Sequence, residues 1–314
     1  MHIVFLDRAS LPVTLRSPAL PHQWRDYPAT SPAQLGVHAR DAEVLISNKV
    51  VLDAATIAAL PRLKLIAVAA TGVNHIDLLA ARQHGVAVCN IRGYADHSVP
   101  EHALMLMLAL MRQLAAYRQQ LAAGAWQQSP HFCLFGPAIR DLHGRTLAIV
   151  GNGALGQGTA RLAQAFGMKI VQLERKQATI CRPGYTPFVE GLAQADIISL
   201  HCPLDASSRH LIGAAELALL RRDAILINTA RGGLVDEAAL LDALHAGRLG
   251  GAGIDVLHEE PPRQGNALLD AKLPNLIVTP HIAWASHEAM SALGEQLIGN
   301  IEAWAGGQPR NLVC

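Results

Sequence analysis

The stretch from Thr146 to Gly156, TLAIVGNGALG, decides the fold, because an apolar run meets three glycines spaced G-x-G-x-x-G. An Ala-rich run of helical composition, residues 159–166, follows directly. Strand, glycine-rich turn and helix in this order are typical of a dinucleotide-binding unit. The first glycine permits the tight turn, the second lets the backbone approach a pyrophosphate, and the third lets helix and strand pack closely. The sequence therefore predicts a dinucleotide site on Gly151, Gly153 and Gly156.

An acidic residue supports this interpretation. A second strand is predicted at residues 169–173, and Glu174 follows it, 18 residues after Gly156. The spacing is close to the roughly 20 residues expected for a carboxylate that accepts hydrogen bonds from the adenosine ribose. Glu174 favours NAD because it would repel a 2′-phosphate, whereas Arg175 and Lys176 would tolerate one and leave NADP as the alternative. The structural alternative, which the combined motif disfavours, is a solvated charge cluster after a strand.

Short β-branched runs alternate with Ala/Leu-rich stretches along the chain, which is typical of parallel sheets covered by helices. Strands are predicted before the glycine-rich turn at residues 2–6, 42–47, 65–69 and 86–90. From the turn onward they are predicted at residues 147–150, 169–173, 197–201, 224–228, 251–256 and 276–279. Helices are predicted at residues 53–60, 76–84, 98–120 and 286–305, and an irregular arm at 124–141. The fold class is therefore α/β, with two doubly wound parallel-sheet domains.

Composition excludes several classes of protein. The chain has 314 residues, which at about 150 residues per domain suggests two domains. Hydrophobic residues make up 51% and charged residues 16%, so the chain is not disordered. The net charge of +1 argues against binding to nucleic acid or an anionic membrane. No apolar run approaches the roughly 20 residues of a membrane helix. Five cysteines without a C-x-x-C pair indicate neither a disulfide framework nor a zinc site, and favour a reducing cytoplasm.

Three predicted strands of the second half end in polar residues, where an α/β sheet places its ligand crevice. Arg231, Glu260 and His281 each follow one of these strands. Arginine offers a planar fork to a carboxylate, histidine donates a proton near neutral pH, and a carboxylate beside the ring orients it. Reduction of a 2-oxo acid needs these three groups. Taken singly, each is more simply a surface or capping residue, but their placement at strand ends of one fold favours an active site.

These motifs, together with residues 70–77 (ATGVNHID), 199–204 (SLHCPL), 228–232 (NTARG) and 253–256 (GIDV), make nearly the whole chain similar to the D-isomer-specific 2-hydroxyacid dehydrogenase family. Within that family it resembles the glycerate dehydrogenase, or hydroxypyruvate reductase, members. The resemblance implies that Arg231, Glu260 and His281 are catalytic. The cofactor contacts it implies are Gly151, Gly153, Ala154, Leu155, Gly156, Glu174, Arg175, Cys202, Pro203, Thr229, Ala230 and Asp255. The substrate contacts it implies are Gly72, Val73, Arg231, His281 and Trp284.

The resemblance also implies a domain organisation. A Rossmann cofactor domain, residues 99–284, is expected to interrupt a flavodoxin-like substrate domain, residues 1–98 and 285–314. A homodimer built on the cofactor domain is expected as well. Trp284 stands where many members carry a small residue, so it would narrow the pocket and favour a small substrate.

The sequence thus predicts an oxidoreductase that transfers a hydride between NAD(H) and a small D-2-hydroxy acid or its 2-oxo acid, namely glycerate with hydroxypyruvate, or glyoxylate. No metal is predicted, because the histidines lack a metal-ligand spacing. Two alternatives stay open at this point. One is an NAD(H)-binding sensor similar to the transcriptional corepressors of the family. The other is an NAD-dependent dehydrogenase of phosphite or formate.

Overall fold

The computed structural model describes the complete chain, Met1–Cys314. Its strands are β1 His2–Phe5, β2 Gln23–Asp26, β3 Val44–Ser47, β4 Leu65–Val68, β5 Ala87–Cys89, β6 Thr146–Val150, β7 Lys169–Leu173, β8 Ile197–Leu200, β9 Ile225–Asn228, β10 Gly251–Ile254 and β11 Leu276–Val278. Its α-helices are α1 Pro32–His38, α2 Ala54–Ala58, α3 Leu78–Gln83, α4 Ser98–Met111, α5 Leu114–Ala122, α6 Ala154–Ala165, α7 Phe188–Gln194, α8 Ala214–Leu219, α9 Glu237–His245, α10 Ala267–Asp270 and α11 His287–Ala305. Two short 3₁₀ helices cover Arg8–Ser10 and Gly232–Leu234.

The chain forms two compact units. The discontinuous unit consists of Met1–Tyr94 and Ala285–Cys314, and the inserted unit of Ala95–Trp284. The second boundary lies at the predicted position, whereas the first lies four residues before the predicted one. The reason is local packing, because the carbonyl oxygen of Asp96 lies 3.2 Å from the position a Cβ would take on Gly158 of α6. Residues 95–98 therefore pack with the inserted unit.

The discontinuous unit is built on a parallel sheet with the strand order β2-β1-β3-β4-β5. This is the flavodoxin-like order. Strands β3 and β4 are buried along their whole length, as expected where helices cover both faces of a parallel sheet. Helix α11 begins after Ser286, whose Oγ accepts the backbone N–H of Ala289 at 3.1 Å, as an N-cap should.

The inserted unit contains a parallel sheet in the order β11-β10-β9-β8-β6-β7. Beyond β7, Thr186 forms an isolated parallel bridge with Leu173. This bridge takes the place of the third strand in the Rossmann order 3-2-1-4-5-6. The glycine-rich turn follows β6, where the order of the strands reverses. The predicted class, α/β with two doubly wound parallel sheets, is confirmed.

Strand β2 and helix α1 are among the elements that the sequence analysis did not predict, and one predicted helix is divided. Strand β2 is an edge strand in which only Trp24 is partly buried, so it has no apolar alternation to detect. Helix α1 buries only Leu35, although its capping box is legible in the sequence. The helix predicted at 98–120 is two helices, because Gln113 takes a left-handed conformation with φ of 56° between α4 and α5.

Candidate active site

The glycine-rich turn has little room for side chains. Gly151 has φ of 101°, and a Cβ there would lie 2.6 Å from the carbonyl carbon of His201. A Cβ on Gly156 would lie 2.1 Å from the carbonyl oxygen of Gly151. Gly153 differs, since no atom lies within 4 Å of its Cβ position. It is the N-cap of α6, and Ala154 and Leu155 are the first residues of that helix. The N-terminus of α6 therefore has open space beside Gly153, as a pyrophosphate site requires.

A cavity of about 750 Å³ adjoins this turn. We call it the β7 pocket; the predicted cofactor residues among those that line it are Gly151, Glu174, Arg175, Cys202 and Pro203. Its volume is of the size expected for part of a dinucleotide. Burial raises the pKa of the Cys202 thiol to about 11, so this thiol brings no charge to the pocket.

A buried polar atom without a partner lies after β9. The hydroxyl of Thr229 is buried and forms no hydrogen bond. Because buried hydroxyls are almost always paired, a ligand that brings a donor or an acceptor to Thr229 would satisfy it. Thr229 and Ala230 are the residues predicted to line the nicotinamide side. The open helix terminus, the β7 pocket and this hydroxyl fit a nicotinamide dinucleotide.

Glu174 has a partner that the sequence did not reveal. Its carboxylate accepts hydrogen bonds from Nε and Nη2 of Arg182 at 2.7 and 2.6 Å, and from the backbone N–H groups of Arg175 and Arg182. These hydrogen bonds, chiefly those of the Arg182 side chain, lower the pKa of Glu174 to about 2. Arg182 lies in an aperiodic loop, so only the tertiary structure brings it to Glu174. The predicted contact of Glu174 with the ribose would compete with this pair.

His281 and Glu260 form the contact that their predicted roles require. Nδ1 of His281 lies 2.6 Å from Oε2 of Glu260, and both side chains are partly exposed. The other oxygen, Oε1, accepts the backbone N–H of Leu257 at 2.8 Å, which holds the carboxylate in place. An Nδ1–H bonded to a carboxylate leaves Nε2 of the ring for a ligand. The pair therefore presents an oriented imidazole to the carboxyl edge of the sheet.

Arg231 lies on a turn that packs against the residues before Glu260. A Cβ on Gly232 would lie 2.0 Å from the carbonyl carbon of Leu257, so only glycine permits this approach. Asn228 is fully buried and braces the turn: its Nδ2 donates to the carbonyl of Arg231 at 2.8 Å, and its Oδ1 accepts the N–H of Ala230 at 3.1 Å. The Arg231 guanidinium donates to the Ala230 carbonyl and forms no salt bridge. Asn228 belongs to the NTARG motif, yet the sequence analysis assigned it no role.

Asp255 holds the turn that carries His281. Its carboxylate accepts the backbone N–H groups of Ile282 and Ala283 at 3.0 and 2.9 Å and the hydroxyl of Thr279 at 2.6 Å. Its carbonyl accepts the N–H of His281 at 2.7 Å. These bonds stabilise a left-handed conformation at His281, where φ is 55°. The contact of Asp255 with the cofactor stays a prediction, since the structure shows its carboxylate engaged with this turn.

A buried histidine extends the network around Asp255. Nε2 of His102, on α4, lies 2.9 Å from the Thr279 hydroxyl. Burial lowers the pKa of His102, while the nearby Asp255 charge opposes the shift. A neutral His102 donates to Thr279, which in turn donates to Asp255. The sequence analysis had left this histidine without a role.

The predicted substrate residues lie in both units. Gly72 and Val73 belong to the loop after β4 in the discontinuous unit, which is braced by Thr71: its carbonyl accepts a hydrogen bond from Asn90 Nδ2 at 2.8 Å, and its hydroxyl donates to the carbonyl of Ile91 at 2.9 Å. Trp284 is the last residue of the inserted unit. No group of three or more His, Cys, Asp or Glu side chains is arranged to hold a metal ion. No helix is long and apolar enough to cross a membrane.

Comparison with known proteins identifies the family. The model of the "D-isomer specific 2-hydroxyacid dehydrogenase, NAD binding domain" family matches residues 104–283. A glycerate dehydrogenase of Methylorubrum extorquens is 48% identical over 312 residues, which cover 99% of this chain and 98% of that protein. The chain belongs to the D-isomer-specific 2-hydroxyacid dehydrogenase family. It is therefore an oxidoreductase that uses a nicotinamide cofactor.

Two further similarities support the assignment to the D-isomer-specific 2-hydroxyacid dehydrogenases. A hydroxypyruvate reductase of Blautia hydrogenotrophica is 34% identical over 278 residues, covering 87% of this chain and 85% of that protein. The crystal structure of the TT0316 protein from Thermus thermophilus superposes with a TM-score of 0.83 at 32% identity, over the full length of both chains. The fold of this dehydrogenase therefore matches a solved structure from end to end.

Proposed function

We propose that this dehydrogenase interconverts a small 2-oxo acid and its D-2-hydroxy acid, with hydroxypyruvate and glycerate as the main pair and glyoxylate as a second substrate. The observation that carries the proposal is the His281–Glu260 pair, with its 2.6 Å contact at Nδ1. It comes with Arg231 on the adjoining turn, whose guanidinium donates to the Ala230 carbonyl and forms no salt bridge. The similarity to a glycerate dehydrogenase and to a hydroxypyruvate reductase supports the choice of the main pair.

In the direction of reduction, the reaction consumes one 2-oxo acid, one hydride and one proton. When bound at the glycine-rich turn and Thr229, a reduced nicotinamide would supply the hydride for the 2-carbon. Arg231 binds the substrate carboxylate through its planar fork. His281, oriented by Glu260, donates a proton from Nε2 to the carbonyl oxygen as that oxygen gains negative charge. In the reverse direction the neutral imidazole takes the proton back.

The remaining substrate contacts belong to the same proposal. The backbone amides of Gly72 and Val73 are expected to bind the substrate carboxylate, and Trp284 to limit the size of the group on the 2-carbon. The glycine-rich turn, Thr229 and Ala230 bind the pyrophosphate and nicotinamide parts of the cofactor. NAD(H) and NADP(H) share these parts. The preference for NAD(H) that the sequence predicts is separate, because it depends on Glu174.

We also propose that the enzyme is a cytoplasmic homodimer. The segment from α5 to residue 139 exposes large apolar side chains, among them Trp126, Phe132 and Phe135, and Phe132 is 93% exposed. Exposed apolar patches of this kind mark interfaces, and a second copy of the chain is the predicted partner. All five cysteines are free, which suits a reducing compartment. Sedimentation of the purified enzyme measures the assembly, and a monomer at micromolar concentration would contradict it.

A substrate panel tests the reaction. The oxidation of NADH and NADPH is followed at 340 nm with hydroxypyruvate, glyoxylate, pyruvate and a bulky aromatic 2-oxo acid, and the reduction of NAD⁺ and NADP⁺ with phosphite and formate. The highest kcat/KM is expected with hydroxypyruvate, followed by glyoxylate. The aromatic acid is expected to be the poorest 2-oxo acid. Turnover of phosphite or formate without turnover of any 2-oxo acid would refute the proposed function.

A further inference from the structure

The ion pair of Glu174 and Arg182 determines the charge of one end of the β7 pocket. The Glu174 side chain is only 4% exposed, whereas the Arg182 side chain is 51% exposed. A carboxylate has about four lone-pair sites, and hydrogen bonds from Arg175 and Arg182 occupy four of them. No acceptor site remains for the two hydroxyls of a ribose. As long as the pair is intact, Glu174 presents neither a free charge nor a free acceptor to the pocket.

Arg182 is held in this position from a second side. Its guanidinium carbon lies 3.9 Å from the centre of the Tyr185 ring, and the Tyr185 hydroxyl accepts a hydrogen bond from Asn152 of the glycine-rich turn at 3.1 Å. The loop after Glu174 also returns to the sheet, where the N–H of Glu174 donates to the Thr186 carbonyl at 2.9 Å. The pair is therefore built into the wall of the pocket.

Arg182 keeps donors for a ligand. A guanidinium has five N–H groups, and Glu174 uses the one on Nε and one on Nη2. Three N–H groups remain, two of them on Nη1. Arg175 also lines the pocket, and its side chain forms no salt bridge. The other charged groups of the lining are engaged: Lys176 pairs with Glu216 at 2.8 Å, and Asp205 accepts bonds from Ser207 and Ser208.

We propose that Arg182, with Arg175, forms a subsite for the 2′-phosphate of NADP(H), so that the enzyme binds NADP(H) at least as tightly as NAD(H). Arg182 has two functions in this subsite. It neutralises the carboxylate that would repel the phosphate, and it donates hydrogen bonds to the phosphate oxygens with its remaining N–H groups. The inference rests on the proposed function only in assuming a nicotinamide dinucleotide in this pocket.

Binding of cofactor fragments tests the subsite without turnover. Calorimetry with 2′,5′-ADP and with ADP measures the effect of the 2′-phosphate on the dissociation constant. The wild type is expected to bind 2′,5′-ADP at least as tightly as ADP. Added salt is expected to raise the dissociation constant of 2′,5′-ADP more than that of ADP, because it screens the contact with the 2′-phosphate. If the wild type binds ADP tenfold more tightly than 2′,5′-ADP, the inference is wrong.

Variants assign the effect to residues. Arg182→Ala is expected to weaken 2′,5′-ADP about 10- to 100-fold, the usual range for hydrogen bonds to a charged group, and to strengthen ADP because Glu174 regains free oxygens. Arg182→Lys keeps the positive charge and is the control for a folding defect in Arg182→Ala. It should bind 2′,5′-ADP more tightly than Arg182→Ala and less tightly than the wild type. Arg161→Ala, on the exposed face of α6, is the matched control. Unchanged 2′,5′-ADP binding in folded Arg182→Ala would overturn the role of Arg182.

The two proposals fail in different ways. If the substrate panel is active with NADH but 2′,5′-ADP binds poorly, the 2′-phosphate subsite is wrong and the proposed reaction stands. If no 2-oxo acid is reduced with either cofactor, yet 2′,5′-ADP binds in an Arg182-dependent manner, the reaction is wrong and the subsite stands.

Discussion

The inserted unit contains two glutamates that follow strands of the same sheet, and each one meets a basic side chain. At Glu260 the partner is His281, bound through Nδ1 alone, so that Nε2 stays available and the charge of the ring can change. At Glu174 the partner is Arg182, which is always charged and engages both carboxylate oxygens. A carboxylate beside histidine thus prepares proton transfer. A carboxylate paired with arginine has its charge neutralised, so that the arginine's remaining N–H groups determine which ligand the pocket binds.

Arg182 and Arg231, both in this unit, differ in the same respect. Arg182 forms a salt bridge with a nearly buried carboxylate, whereas Arg231 forms none and donates only to a neighbouring carbonyl. An arginine without an acidic partner is suited to bind the carboxylate of a substrate. The turn at Arg231 packs against the backbone of Leu257, whereas Arg182 lies in a loop that returns to Glu174.

The largest effect is expected at His281. Replacing it in His281→Ala removes the proton donor and should lower kcat for hydroxypyruvate by about 10²- to 10⁴-fold. Steady-state kinetics of NADH oxidation measures the loss. His245→Ala, at the exposed end of α9, is the control and should keep its kcat within about twofold. Full activity of His281→Ala would show that the Glu260–His281 pair does not transfer the proton.

A smaller effect is expected at Arg231. Arg231→Lys keeps the positive charge but loses the two-pronged geometry, so KM for hydroxypyruvate should rise about 10- to 100-fold and kcat should fall as orientation is lost. Arg248→Lys, a surface exchange of the same kind, is expected to change neither constant. If Arg231→Lys behaves like that control, the unpaired arginine does not bind the substrate.

At Glu260, removing the charge alone separates positioning from catalysis. Glu260→Gln keeps a side chain of the same shape that still accepts a hydrogen bond from Nδ1, and it should lower kcat about 10- to 100-fold, the usual cost of losing an orienting neighbour. The KM for the cofactor is expected to stay unchanged. Glu259→Gln, the adjacent exposed acid, is the control. A larger change in cofactor KM than in kcat would mean that Glu260 affects cofactor binding rather than the orientation of His281.

The smallest effect concerns the stability of the Glu174–Arg182 pair. The pKa of Glu174 is lowered from 4.5 to about 2 in the folded protein, so the contribution of the pair is present above pH 4.5 and is lost as the pH falls toward 2. Arg182→Ala should lower Tm by about 2 °C at pH 6. This difference from the wild type should narrow by pH 3, as thermal unfolding monitored by circular dichroism would show. A difference that does not depend on pH would contradict the role of the carboxylate.

Much of the candidate site could be predicted from the sequence because it depends on residue types at strand ends. The glycine spacing around Gly151 predicts a turn that only glycine can form, and buried runs such as Ile225–Asn228 predict strands whose carboxyl ends share one edge of a sheet. Strand β2 escaped detection because its residues are mostly exposed. Asn228 and Asp255 were quoted as parts of motifs, but their hydrogen bonds to the turns of Arg231 and His281 have no signature in a single sequence.

The amino-acid sequence by itself determined the α/β class, the two sheets and the positions of Arg231, Glu260 and His281, since these follow from local periodicity and from the geometry of parallel strands. Only the tertiary structure decided which side chains meet across loops. Whether Glu174 faces a ligand or Arg182 depends on the path of an aperiodic loop, in which Tyr185 packs against Arg182 and Thr186 pairs with the end of β7. The periodicity of apolar residues indicates which side chains are buried, but it does not predict a contact between two polar side chains such as Glu174 and Arg182.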